Sequence, residues 1–168
     1  MKHLSIELAG EKYLRITGID PLLAGSLFEL PRLLEQRDRP PSRHRLYPHP
    51  FRPDPPANEE WHRLMDDDLH HLFVSAGETV ERDLTGLEPD SHHKQHRQLL
   101  LTAAHGNAWM SALNQARLIL AEQHAVTEAD MTNEELDPHR DKDRALFKIH
   151  VLGYLLQLFV EQTGGAPT

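Results

Sequence analysis

From residue 102 to residue 163 the apolar side chains recur at steps of three and four, and that spacing leaves few folds open. In AWMSALNQARLILAEQH the stripe is Ala108, Trp109, Ala112, Leu113, Ala116, Ile119 and Leu120. In ALFKIHVLGYLLQLFVEQT it is Ala145, Leu146, Ile149, Leu152, Gly153, Leu156, Phe159 and Val160. Each stripe is one face of a helix that another element must cover. Neither stretch carries a catalytic motif, so function is sought on the surfaces of a helical assembly.

The first half supplies the covering elements. Leu4, Ile6 and Leu8 alternate with polar residues, and Tyr13 to Thr17 follows after AGEK. This predicts a β-hairpin with Gly10 in its turn. Asp20-Pro21 is a helix start, with Leu22, Leu23, Leu27, Leu30, Leu33 and Leu34 as its apolar face and Pro31 predicting a kink or a restart. Seven of the twelve prolines fall in residues 38–57, which predicts an extended surface segment anchored by Leu46, Tyr47 and Phe51.

Beyond it, Asn58 is expected to cap a short helix with Trp61 and Leu64 facing inward. Asp66, Asp67 and Asp68 are expected to open a second helix, where negative charge suits the dipole. Its stripe is Leu69, Leu72, Phe73, Ala76, Val80, Leu84 and Leu87. RQLLL at 97–101 reads as a third short strand beside the hairpin. Thr127 to Asp130 and Thr132 to Glu135 are both cap-like spacings, the second a proper capping box, and Asp137-Pro138 is expected to start the last helix. The fold class is therefore mainly α: a helical bundle with a small N-terminal β-hairpin. A chain of 168 residues makes one domain over residues 1–163, with 164–168 a frayed tail.

The net charge of −8 is uneven. Between Arg32 and Arg52 lie six arginines against Glu35 and Asp38, a local +4, which leaves −12 on the rest. An acidic body disfavours direct nucleic-acid binding. The basic segment is the one place suited to phosphate or to an acidic partner, and Arg37, Arg39, Arg43, Arg45, Tyr47, Phe51 and Trp61 are the candidate partner-binding residues. There is no cysteine, so thiolate metal sites, cysteine nucleophiles and disulfides are excluded. No apolar h-region opens the chain and no apolar run reaches membrane-spanning length, so a cytoplasmic protein is expected.

Thirteen histidines invite a metal reading. His92 and His96, if helical, sit one turn apart, as do Asp67 and His71. No HExxH completes either pair, and the expectation is solvated side chains with no metal and no cofactor. Neither GxSxG nor a phosphate-cradling glycine loop occurs, so no catalytic residue is expected and the chain does not read as an enzyme.

Three stretches, RLYPHPFRPDPPANEEWHRLMDDDL (45–69), AWMSALNQARLILAEQHAVTEAD (108–130) and ALFKIHVLGYLLQLFVEQT (145–163), resemble a bacterial domain-of-unknown-function family that includes the actinobacterial oxidative-stress regulator AosR. The W-x-x-A-L-N-x-x-R-L core from Trp109 to Leu118 is the most distinctive match outside the 45–69 run. The resemblance implies a cytoplasmic, mostly helical regulatory protein without a cofactor. It also implies a setting in transcription or stress response, with polymerase, a sigma factor or a proteolysis adaptor as partner.

A thiol switch is chemically impossible here, so oxidant sensing would fall to methionines such as Met65 and Met110, both expected to be at least half-buried. The alternatives are a homodimeric helical scaffold or adaptor linked to proteolysis, and a His/Asp metal-binding protein or enzyme. The homodimer would use the hairpin edge and the Leu155 and Phe159 region of the last helix as its surfaces.

Overall fold

A computed structural model gives the fold and describes residues 3–40, 42–48, 50 and 53–164. Strands β1 (Ser5–Leu8) and β2 (Tyr13–Ile19) form the expected hairpin, with Gly10 at φ 76° in the turn. Helix α1 (Pro21–Leu34) follows, then a short helix α2 (Arg43–Leu46) and the long helix α3 (Pro55–Leu84). Strands β3 (Glu88–Pro89) and β4 (Arg97–Thr102) lead through a 3-10 turn at Ala103–His105 into α4 (Gly106–Gln123). Helices α5 (Glu128–Met131) and α6 (Asp141–Gly164) complete the chain. The protein is mainly α, and the strands make one antiparallel sheet in the order β1-β2-β4-β3. The 97–101 segment is indeed the hairpin's third strand. The two-residue β3 escapes sequence analysis because it is too short to show alternation.

Burial explains the assembly. Leu14, Ile16, Leu99 and Leu101 present one face of the sheet to the helices. Helix α4 is the central element, packed against α1, α2, α3 and α6. Trp109, Leu113, Ala116 and Ile119 along it are fully buried, as are Leu155 and Phe159 of α6. That rules out Leu155 and Phe159 as a dimer surface. Conversely, Val160 and Leu22 are exposed although they belong to predicted stripes.

Several helix boundaries differ from the sequence reading. Asp20 caps α1 as expected, its side chain accepting from the Leu23 N–H at 2.8 Å. Pro31 lies inside α1 without ending it, because a proline in the last turn forfeits only one helical hydrogen bond. Asn58 and the triple aspartate do not start helices. Asp54 is the cap, accepting from the Ala57 N–H, and α3 runs unbroken for 30 residues through Asp66–Asp68. The proline run therefore ends in a helix start at Pro55, where a missing N–H costs nothing. The capping box forms at Thr127 and Asp130, not at Thr132, whose hydroxyl donates to the Ala129 carbonyl. Helix α6 begins at Asp141 rather than at Asp137-Pro138. Asp137 instead makes a local turn, its side chain accepting from the His139 N–H.

The sheet is pinned at one irregular point. Register between β2 and β4 shifts between Ile16 and Ile19, and Gly18 sits there at φ 72°. Its N–H donates to Asp90 Oδ2 at 3.0 Å, while Asp90 Oδ1 accepts from the His92 N–H at 2.8 Å. These two bonds hold the buried Asp90 carboxyl below its ordinary 3.8, the His92 bond contributing most. A carboxylate held low in the folded state stabilises the fold above the ordinary carboxylate range and stops doing so as pH falls through its folded value. Asp90→Ala is therefore expected to lower the urea midpoint at pH 7, with the gap to the parent chain shrinking below pH 3.8. A gap of equal size at both pH values would show that the carboxylate charge plays no part.

Candidate functional site

The arginine-rich segment is the place to begin, because the sequence singles it out and the fold uses it. It leaves α1, turns at residues 35–40 and forms α2, which packs on α4, and Tyr47 then reaches α3. Leu46 and Tyr47 are buried and anchor it. The Tyr47 ring meets Phe73 edge-on at 5.6 Å, and its hydroxyl lies 3.0 Å from His70 Nδ1. Burial, reinforced by the Asp38 charge, pushes the Tyr47 hydroxyl up to about 12, so it remains a neutral hydrogen-bonding group.

The cations around it are paired. Arg43 lies over the Tyr47 ring at 4.7 Å and reaches Asp38 at 3.3 Å and Asp66 at 3.5 Å. Arg45 and His44 both meet Glu122 of α4, at 3.1 and 3.4 Å. Half-exposed pairs of this kind contribute about 0–1 kcal/mol each. Burying Leu46 contributes roughly 1.5–3 kcal/mol. Apolar anchoring thus holds the segment, and the ion pairs set its orientation.

The expected partner-binding residues divide accordingly. Arg37 and Tyr47 are interior, so the segment is not a uniformly solvated basic loop. Arg43 and Arg45 are engaged with carboxylates of α3 and α4, and Arg39 is exposed. Phe51 lies outside the described residues. Trp61 is half-buried on α3, edge-on to His62 at 5.4 Å.

Around Trp61 the first half of α3 is thinly covered. Leu64 is 57% exposed, Leu72 63% and Met65 38%, which corrects the inward placement expected for Leu64 and the burial expected for Met65. With half-buried Trp61 and Leu69 they form an apolar stripe along about three turns of helix. Asp68 falls on the same face between Leu64 and Leu72, Asp67 lies at its edge and Glu59 on the opposite side, all exposed and without ion pairs among the described residues. A second apolar region lies between α1 and α6, where Leu22 and Phe147 line a cavity of about 490 Å3 rimmed by Glu29 and Lys148.

Neither histidine pair is completed by a third ligand among the described residues. Residues 91–96 are a loop, so His92 and His96 are not one helical turn apart. The His96 ring instead packs with His93 and His3, their centroids 5.1–5.8 Å apart and tilted. Asp67 and His71 are both exposed on α3. Among the described residues no group of three or more His, Asp or Glu side chains is placed to hold a metal ion.

Three polar groups that sequence reasoning passed over are structurally committed. Asp83 accepts from Trp109 Nε1 at 2.9 Å and contacts His105 Nδ1, tying α3 to α4. Gln115, buried within the α4 stripe, accepts from Arg37 Nε at 3.3 Å and donates to Ser111 Oγ at 3.1 Å. A polar residue falling in an apolar stripe was the signal for Gln115. Asp90 had none.

The chain belongs to the family described as Domain of unknown function (DUF2017), whose model matches residues 12–163. No curated protein and no solved structure matches it. No helix among the described residues is long and apolar enough to cross a membrane.

Proposed function

We infer that the chain is a regulatory protein that works by gripping a protein partner along the first half of α3. The observation that carries this reading is the apolar stripe of Trp61, Leu64, Met65 and Leu72 on a helix whose second half is anchored in the core by Ala76, Val80 and Leu84. Anchors three, four and seven residues apart on a rigid helix suit a groove or a second amphipathic helix. Asp68 within the stripe and Asp67 at its edge, neither ion-paired among the described residues, favour a basic residue on that partner. The resemblance to AosR-type regulators supports a setting in transcription or stress response, with polymerase, a sigma factor or a proteolysis adaptor as the partner class we propose. Lacking cysteine, the protein acts there without a thiol switch.

Leu64→Glu combined with Leu72→Glu tests the reading. Both positions are exposed, so the thermal midpoint should hold. Binding to whatever the parent chain captures from its native lysate should weaken by at least about 2 kcal/mol, roughly thirty-fold in Kd. Capture of the same proteins at undiminished strength would remove α3 as the contact surface.

A further inference from the structure

Arg37 is 8% exposed, yet it makes no ion pair among the described residues. Its one side-chain hydrogen bond among the described residues runs from Nε to Gln115. The guanidinium remains protonated at any physiological pH, and its Nη groups, which are not among the fully buried polar atoms, stay open to solvent and to a ligand. They face a cavity of about 240 Å3 between the end of α1 and the middle of α3. Gly77 makes that approach possible: a Cβ there would stand 3.3 Å from Arg37 Nη2.

The other walls complete a pattern. Leu34 and Val74 supply apolar surface, and Glu35, Glu78 and Glu81 supply three carboxylates. One guanidinium against three carboxylates leaves the site at −2. A simple anion would be repelled by that excess, and a simple cation would leave Arg37 unpaired. A ligand carrying both charges satisfies both sides. The volume lies below the roughly 300–1,000 Å3 typical of sites for drug-sized ligands, so the ligand is small.

We propose that this cavity binds a free α-amino acid, its carboxylate on Arg37, its ammonium among Glu35, Glu78 and Glu81, and an aliphatic side chain against Leu34 and Val74. A planar guanidinium can take both carboxylate oxygens, which fixes the ligand's orientation. Burial pulls the Arg37 guanidinium below its ordinary range, only partly countered by the nearby Asp38 and Glu35, and a bound carboxylate would offset more of that cost.

The full chain is titrated with the free L-amino acids and with the amide and N-acetyl form of each, by calorimetry and thermal midpoint. At least one free amino acid is expected to bind, and its amide and N-acetyl forms should bind at least about tenfold more weakly, because each leaves one side of the site unpaired. Arg37→Lys should weaken binding by about tenfold or more through loss of the two-point contact. Arg37 is buried and that variant risks misfolding, so Glu78→Gln with Glu81→Gln provides a second test at exposed positions. It should weaken binding with the unliganded midpoint preserved. The proposal is overturned if no free amino acid binds at about 10 mM, if the blocked forms bind equally well, or if the glutamine variant binds as tightly as the parent. The Leu64/Leu72 variant should bind the same amino acid unchanged, so the two readings fail separately.

Discussion

Trp109→Ala is expected to cost about 3–5 kcal/mol of folding stability. The side chain is fully buried in the first turn of α4 and stacks on Phe159 of α6 with ring centroids 5.7 Å apart. Removing it opens a cavity where the central helix meets α6, and it strips Asp83 of an indole donor at 2.9 Å. Total stabilities of single domains run at about 5–15 kcal/mol, so a loss of this size leaves little margin. Trp109→Phe separates the two contributions. It keeps most of the packing and forfeits the hydrogen bond, at about 1–3 kcal/mol for the partner left unsatisfied. Urea unfolding of the three proteins gives the comparison. A Trp109→Ala loss under about 1 kcal/mol would mean that the core is not organised around this residue.

Gly18→Ala should be almost as damaging, for a backbone reason. At φ 72° an L-residue is strained by about 1–3 kcal/mol before any contact is counted. The added Cβ would also fall 1.9 Å from the His3 carbonyl oxygen and 2.9 Å from the Leu4 nitrogen, which are main-chain atoms that no rotamer change can clear. The chain entering β1 must move, and the Gly18–Asp90 bond moves with it. The expected loss is at least about 3 kcal/mol. Gly10→Ala is the built-in control. Gly10 has nearly the same φ, 76°, but nothing within 4 Å of the new Cβ, so it should lose only the conformational part. Equal urea midpoints for the two variants would show that the clash is relieved at no cost.

Much of this architecture was readable in advance. The stripes on α4 and α6, the hairpin, its third strand and the Asp20-Pro21 start are all local patterns, and each recurs in the fold. The same reasoning failed where one local signal had competing uses. Asp137-Pro138 matches Asp20-Pro21 in sequence, yet Asp137 spends its side chain on the His139 N–H and its own N–H on Asp143. Asp66–Asp68 suit a helix start electrostatically. A start already capped at Asp54 carries the helix past them instead, with Asp66 paired to His62 and Arg43.

The candidate sites were less legible than the fold. The sequence marked the arginine cluster but could not sort its members. Only the packing of α1, α2, α3 and α4 makes Arg37 an interior cation, Arg43 and Arg45 orienting pairs, and Arg39 a solvent group.

What the sequence determined by itself is the helix-rich class, the core faces and the exclusion of thiol chemistry, because helical periodicity and residue inventory are properties of the chain at short range. What the tertiary structure decided is which polar groups meet. Arg37 finds Gln115 across 78 residues, and Gly18 finds Asp90 across 72. No spacing rule reaches that far. The partners of a buried charge are set by which faces pack together, and that geometry exists only once the whole chain has folded.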